Sequence, residues 1–193
     1  MNRIAGNLTD YVIRKGMIKE EDRELYEYGF TITIEAGLLV LFSLFVSLYL
    51  HMLKEGILFF LIFAPLRSYA GGLHLDKFHS CFILSCLTFS GILLIVRYVH
   101  IPMLFSLISL IILEFGVYAL YPVENINREV DSVENSFFKK KLKFFLVIDL
   151  LIALIFIMLK KECYVFLIST TFFMIVVTMI LGKYKNMRAG FVK

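Results

Sequence analysis

Long apolar stretches separated by short polar segments make up most of the chain after residue 29. Six such runs are found, at residues 30–53, 56–73, 78–97, 101–121, 143–159 and 163–182. A helix needs about 20 apolar residues to cross the hydrocarbon core of a bilayer, and most of these runs have that length. The pattern predicts an all-α, polytopic membrane protein whose residues 30–182 form a bundle of about six transmembrane helices.

The second run differs from the others. Its uninterrupted apolar part covers residues 57–66, which is about 15 Å of helix. Pro65 and the Gly71-Gly72 pair then break the pattern. We therefore expect a short or broken second helix, followed by a loop recessed in the membrane. Irregular backbone at that depth has to be buried in protein or line a wet cavity.

The segment before the first run is strongly polar. Residues 1–28 carry eleven charged side chains and lack the apolar core of a signal peptide, so no cleavable signal is expected. Their apolar positions partly follow a 3.6-residue period, which predicts one or two amphipathic helices at the membrane interface. A solvated N-terminal cap is the alternative.

Composition supports a location in the membrane. Hydrophobic residues make up 60% of the 193 residues and the mean hydropathy is +0.82, well above the values of soluble domains. The length predicts a single domain, residues 1–193. Three cysteines without a framework spacing predict no disulfide scaffold. We expect membrane lipid to be a partner and expect no nucleic acid.

The basic residues predict the orientation of the chain. With six crossings and a cytoplasmic N-terminus, sixteen of the twenty lysines and arginines fall in cytoplasmic segments. The positive-inside rule favours this arrangement over its reverse. It predicts a multi-pass protein of the cell membrane with both termini in the cytoplasm and residues 67–81 at the cytoplasmic side. Lys160-Lys161 is the local exception.

Residues 122–143 form the largest polar segment between runs, and we expect a basic cytoplasmic loop there. It ends in a lysine run that includes Lys139, Lys140 and Lys141. Such a run determines topology and binds anionic lipid. It would equally serve as a docking site for an acidic peptide, and the sequence leaves both roles open.

A histidine and a cysteine follow the glycine pair, at positions 74 and 81. A thiol and an imidazole within reach of each other can act as a nucleophile and its base. Asp76 is a good helix N-cap, and residues 77–96 are expected to form one helix. Cys81 would then lie near the start of that helix, where the positive end of the dipole stabilises a thiolate.

Two cations flank this pair. Arg67 and Lys77 add positive potential, which favours the thiolate and could orient a substrate carboxylate. Zinc is the rival interpretation, because His74, Asp76, His79 and Cys81 are all possible ligands. Their spacing is not one of the paired spacings typical of zinc sites, so we expect no metal and no other cofactor.

Three carboxylates occur in or near apolar runs: Glu35, Glu114 and Asp149. Acids inside a membrane generally have partners or functional roles. One of them could orient the imidazole or pair with Arg67. They could also belong to a proton or ion pathway, so a small membrane transporter or channel is the alternative function.

The motif formed by Arg67, Ala70-Gly71-Gly72, His74 and Cys81 resembles that of the accessory gene regulator B (AgrB) family. These are membrane cysteine endopeptidases of peptide quorum sensing. The chain length, the amphipathic N-terminus and the several spans agree, so the resemblance covers nearly the whole chain. It is compatible with a homodimer.

The resemblance implies a specific reaction. His74 would be the general base and Cys81 the nucleophile that cleaves an AgrD-like propeptide before its acidic C-terminal tail. The peptide would remain on Cys81 as a thioester, and a cysteine or serine of the peptide would then close a thiolactone or lactone ring. Gly71 and Gly72 would allow close approach of the substrate backbone, and their N–H groups could stabilise the oxyanion.

Overall fold

All regular elements in the described part of the protein are helices. The computed structural model describes residues 2–73, 78–123 and 132–188. The α-helices are α1 (Asn2–Arg14), α2 (Arg23–Tyr49), α3 (Leu53–Ala70), α4 (Phe78–Tyr98), α5 (Met103–Leu120), α6 (Ser132–Met158) and α7 (Glu162–Arg188), with a 3-10 turn at Glu20–Asp22. The predicted all-α fold is confirmed.

Several helices have the length and composition of membrane spans. In the described ranges there are four: Glu20–Tyr49, Ser80–Tyr98, Met103–Leu120 and Glu162–Arg188. Their apolar surfaces make the protein a membrane-embedded one. α3 carries Lys54, Glu55 and Arg67, and the first half of α6 carries the lysine run. α3 and α6 are not among these four helices. A total of six membrane crossings therefore stays a prediction.

α3 is short, as predicted, but it is not broken at Pro65. It runs through this proline and ends at Ala70 after 18 residues, about 27 Å. Proline removes one helical hydrogen bond. The packing of α3 compensates for this loss, since Ile62 and Leu66 in the same part of the helix are fully buried. The helix ends where the glycine pair begins, as expected.

The chain divides into two compact units, Met1–Val46 and Ser47–Lys193. In the first unit α1 is amphipathic, as predicted: Ala5 and Thr9 are buried, whereas a face with Ile4, Leu8 and Tyr11 is exposed. The Arg23 guanidinium forms an ion pair with Asp10 and a second one with Glu20 at 3.0 Å. These contacts join α1 to the start of α2.

In the second unit α7 lies at the centre. It packs against α3, α4, α5 and α6. Its contact with α5 includes a 2.6 Å hydrogen bond between the hydroxyls of Ser109 and Ser169, and close packing of Gly116 against Val176. The middle of α7 is therefore buried on nearly all sides, unlike a helix that faces lipid.

Aromatic packing joins α3 to α4. The ring of Phe89 lies 5.3 Å from the rings of both Phe59 and Phe60. This contact is near the middle of both helices. α3 and α4 therefore contact each other through these rings.

The polar segment at residues 122–143 is only partly a loop, because α6 begins at Ser132. The prediction of a loop up to residue 143 was wrong for a simple reason. The rings of Phe138 and Phe145 contact Tyr69 of α3, with centroids 5.8 and 5.5 Å away, and Leu142 between them is fully buried. The lysines occupy the remaining positions of an amphipathic helix.

The central position of α7 predicts a contrast between two neighbouring phenylalanines. Phe172 is fully buried and Phe173 is 54% exposed. Phe172→Ala should leave a cavity and lower the free energy of unfolding by about 3–5 kcal/mol. Phe173→Ala is the matched control and should have a much smaller effect. Thermal unfolding of both variants in detergent measures this, and equal losses would contradict a central α7.

Candidate functional site

The turn after α3 has a backbone conformation that favours glycine. Gly71 has φ +79° and Gly72 has φ +141°, values that other residues rarely adopt. Gly71 also forms a parallel bridge to Val123, whose N–H donates to the carbonyl oxygen of Ala70 at 3.3 Å. A Cβ atom on Gly71 would clash with the Val123 carbonyl oxygen. Both conformation and packing therefore require glycine here.

α7 packs against the other side of this turn. The N–H of Leu73 donates to the carbonyl oxygen of Thr178 at 2.9 Å. A Cβ atom built on Gly182 would lie 2.7 Å from the carbonyl carbon of Gly72 and 2.9 Å from the Leu73 nitrogen. The Gly72–Leu73 peptide unit thus lies directly on the backbone of α7.

Arg67, in the last turn of α3, folds over the same turn. Its Nη2 donates to the carbonyl oxygen of Leu73. The guanidinium occupies the space beside Gly72, where a Cβ atom would clash with Nη1. Nη1 is buried and has no hydrogen-bond partner among the described residues. Leu73 is consequently held at its N–H by α7 and at its carbonyl by α3.

The guanidinium also interacts electrostatically with Cys81. Cys81 is the fourth residue of α4, and its thiol is free and half-buried. Cys81 therefore lies near the start of a helix, as expected, and Arg67 is a cation that interacts with it.

Three predicted site residues lie outside the described residues: His74, Asp76 and Lys77. The pairing of His74 with Cys81 and the N-cap role of Asp76 therefore stay predictions. Leu73 is the last described residue before His74, so its fixed position is the nearest structural constraint on the histidine.

The structure brings two of the three carboxylates together. Asp149 on α6 is only 2% exposed and interacts electrostatically with Glu114 on α5. Its Oδ2 atom is buried and has no hydrogen-bond partner in the described ranges. The interactions of Arg67 described above involve Leu73 and Cys81, and a pairing of Arg67 with one of the acids stays a prediction. Glu35 belongs to the first compact unit.

The lysines point in different directions. Lys139 and Lys143, one turn apart on α6, both lie over the Tyr118 ring of α5, with Nζ 5.8 and 5.4 Å from its centroid. Lys141 lies over the Phe137 ring of its own helix at 5.5 Å, and Lys140 is exposed. Lys143, which was not among the predicted site residues, is therefore the partner of Lys139 on this face.

The sequence did not identify the residues that fix the glycine turn from outside: Val123, Thr178 and Gly182. Gly182 carried a weak signal, because glycine is unfavourable inside a helix by about 1 kcal/mol relative to alanine and often has a packing reason there. Nothing in the sequence indicated which backbone it would contact.

A cavity of about 360 Å³ lies away from the turn, beside the last residues of α4 and the first residues of α7. Arg97 and Cys163 are among its lining residues, together with Leu50, Met52, Val96, Val99, His100, Ile101, Glu162 and Phe166. Arg97 lies near the C-terminal end of α4, about 24 Å along the helix axis from Cys81. This cavity is therefore not the site around Cys81.

The fold and the site define a membrane-embedded helical protein in which a fixed glycine turn leads to a cysteine at the start of a helix. A family model described as accessory gene regulator B matches residues 3–181, and the chain belongs to this AgrB family. The family is one of membrane peptidase-like proteins, so membership implies a role in the processing of a quorum-sensing peptide. No curated protein and no solved structure matched the chain.

The position of Arg67 predicts the reactivity of Cys81. In a chain with Cys86→Ala and Cys163→Ala, Arg67→Gln should slow alkylation of Cys81 by iodoacetamide about tenfold at pH 7.5, because Cys81 loses the cation with which it interacts. Arg97→Gln removes an exposed arginine at the far end of α4 and is the control. An unchanged rate in Arg67→Gln would contradict an electrostatic role of this residue.

Proposed function

We propose that this protein is a membrane cysteine endopeptidase that cleaves an AgrD-like propeptide and promotes its cyclisation to an autoinducing peptide precursor. The observation that carries the proposal is the fixed turn at Gly72–Leu73, which leads directly to His74, together with the Arg67 guanidinium beside Cys81. Family membership supports the class of substrate.

The first step is acyl transfer to the enzyme. His74 takes the proton of the Cys81 thiol, and the thiolate attacks the carbonyl carbon at the scissile bond. Collapse of the tetrahedral intermediate breaks the C–N bond, and His74 returns the proton to the leaving amine of the acidic tail. The peptide is then bound to Cys81 as a thioester.

The second step closes the ring. A cysteine or serine side chain within the peptide attacks the thioester carbonyl, and the Cys81 thiolate leaves. A thioester conserves the acyl-transfer potential that a lactone or thiolactone needs, whereas hydrolysis would lose it to water. The half-buried position of Cys81 supports ring closure, because partial exclusion of water disfavours hydrolysis.

Arg67 is a second source of oxyanion stabilisation, besides the N–H groups of Gly71 and Gly72. The Leu73 N–H is already bonded to α7, and Gly72 is buried between Arg67 and Gly182. The absence of side chains at the glycines therefore serves contacts within the protein. The unpartnered Nη1 of Arg67 is a candidate donor to a substrate oxygen, which gives Arg67 a substrate-binding role.

Topology completes the proposal. Both termini, the lysine run and the Cys81 site face the cytoplasm of a multi-pass protein in the cell membrane. The distribution of lysine and arginine supports this orientation. Cleavage would then take place at the inner surface, where the propeptide is made.

A transporter or channel that uses Glu35, Glu114 and Asp149 is the second candidate. It is favoured by one observation, the buried Asp149 carboxylate beside Glu114 with an unpartnered oxygen. Such a buried acid is costly in a membrane unless it has a role. A transporter would not depend on Cys81, so variants of that residue separate the two candidates.

Cys81 is the residue on which the peptidase proposal depends. Cys81→Ala should abolish cleavage of a propeptide by the protein in proteoliposomes, and Cys81→Ser should reduce it below about one-hundredth. Cys86→Ala and Cys163→Ala are matched controls and should retain most of the activity. Mass spectrometry of the wild type should find the peptide on Cys81 in a form that hydroxylamine releases. Full cleavage by Cys81→Ala would disprove the proposal.

The lysine run is proposed to bind the acidic tail of the propeptide. Replacing Lys139, Lys140 and Lys141 by Gln should weaken binding of an acidic-tailed peptide about tenfold at low salt and make the affinity less dependent on salt. Lys160→Gln with Lys161→Gln is the control. Unchanged affinity in the first variant would leave only the roles in topology and lipid binding.

A further inference from the structure

Gly182 and Thr178 lie one turn apart on the same face of α7, and this face touches the Gly72–Leu73 peptide unit. The contact is between two backbones: Thr178 contributes its carbonyl oxygen, and Gly182 contributes the absence of a side chain. Gly182 is buried and lies just beyond the residues that the family model matches.

The distances leave no space for a larger residue at 182. A Cβ atom there would lie 2.7–3.0 Å from three backbone atoms, namely the carbonyl carbon and oxygen of Gly72 and the nitrogen of Leu73. No side-chain rotation can relieve such an overlap, because all three atoms belong to the main chain. α7 is fixed by its burial among four helices, so the turn would have to move instead.

A displacement of the turn would reach both proposed catalytic residues. His74 follows Leu73 directly in the chain. The carbonyl of Leu73 accepts the hydrogen bond of Arg67, and the Arg67 guanidinium interacts with Cys81. Movement of this peptide unit therefore displaces the residue that precedes His74 in the chain. It also changes the interaction of the Arg67 guanidinium with the Cys81 thiol.

We propose that Gly182 is a positioning residue for catalysis: it lets the Gly72–Leu73 peptide lie on α7 and so sets the position of Arg67 relative to Cys81. This inference rests on the proposed function. Glycine inside a helix is unfavourable by about 1 kcal/mol relative to alanine. Its presence at position 182 therefore agrees with a need for space at the contact with the turn.

The test compares alanine at two helical glycines. Gly182→Ala introduces the overlap, whereas Gly91→Ala on α4 is the control because no atom lies within 4 Å of its added Cβ. Three quantities are measured in the full chain: hydrogen exchange of the peptide containing Leu73, the pH dependence of Cys81 alkylation by iodoacetamide, and kcat and KM for propeptide cleavage.

In Gly182→Ala we expect faster exchange of the Leu73 amide, because its bond to Thr178 weakens. The pH dependence of alkylation should differ from that of the wild type, since the interaction of Arg67 with Cys81 changes. We expect kcat to fall about tenfold to one-hundredfold, a range typical of misplaced catalytic groups, with KM little changed. Gly91→Ala should match the wild type in all three.

Two outcomes would overturn the proposal. Unchanged exchange at Leu73 would show that the turn does not depend on Gly182. Faster exchange with unchanged kcat and alkylation would show that the contact is structural only. Should Gly182→Ala not fold, Leu73→Pro removes the same hydrogen bond from the loop side, outside any described helix. It has no amide hydrogen at residue 73 to exchange, so the expected changes are those in the pH dependence of alkylation and in kcat.

Failure of the proposed function gives a different result. In that case the wild type would not cleave the propeptide, or Cys81→Ala would cleave it as well as the wild type does. The exchange measurement would still report on the contact between Gly182 and the turn, because it does not depend on activity.

Discussion

The arrangement around Cys81 depends on one backbone contact, in which the Gly72–Leu73 peptide unit lies on α7. Glycine on both sides makes this possible: Gly72 leaves room for Arg67, and Gly182 leaves room for the turn. The hydrogen bond from Leu73 to Thr178 then fixes the distance. Because α7 packs against four helices, the turn is attached to a largely buried helix of the second unit.

Much of the fold follows from the apolar pattern, because a helix that faces lipid must be apolar over its whole length. Rules based on local sequence, such as proline breaking a helix, were less successful where packing between helices compensates for the unfavourable residue. Pro65 does not break α3, since its neighbours Ile62 and Leu66 are buried. The lysine run is helical, since Phe138 and Phe145 on the opposite side pack against Tyr69.

The candidate site was predictable only in part. The order of Arg67, the glycine pair and Cys81 along the chain indicated their proximity, and the structure places the arginine and the thiol near each other. The contacts from Val123 and α7 come from residues about 50 to 110 positions away. No periodicity or spacing of residues encodes such contacts. A glycine inside an apolar run, such as Gly182, indicates only that little room is available for a side chain at that position.

The two hydrogen bonds of Leu73 have a thermodynamic consequence. They join the end of α3 to the end of α7 through a single residue, so the packing of these two helices and the position of Leu73 are linked equilibria. Linkage is reciprocal: a ligand that binds more tightly when Leu73 holds this position must also strengthen the association of α3 with α7, by the same free energy. Binding at the site could then be followed by measuring the stability of the contact between α3 and α7.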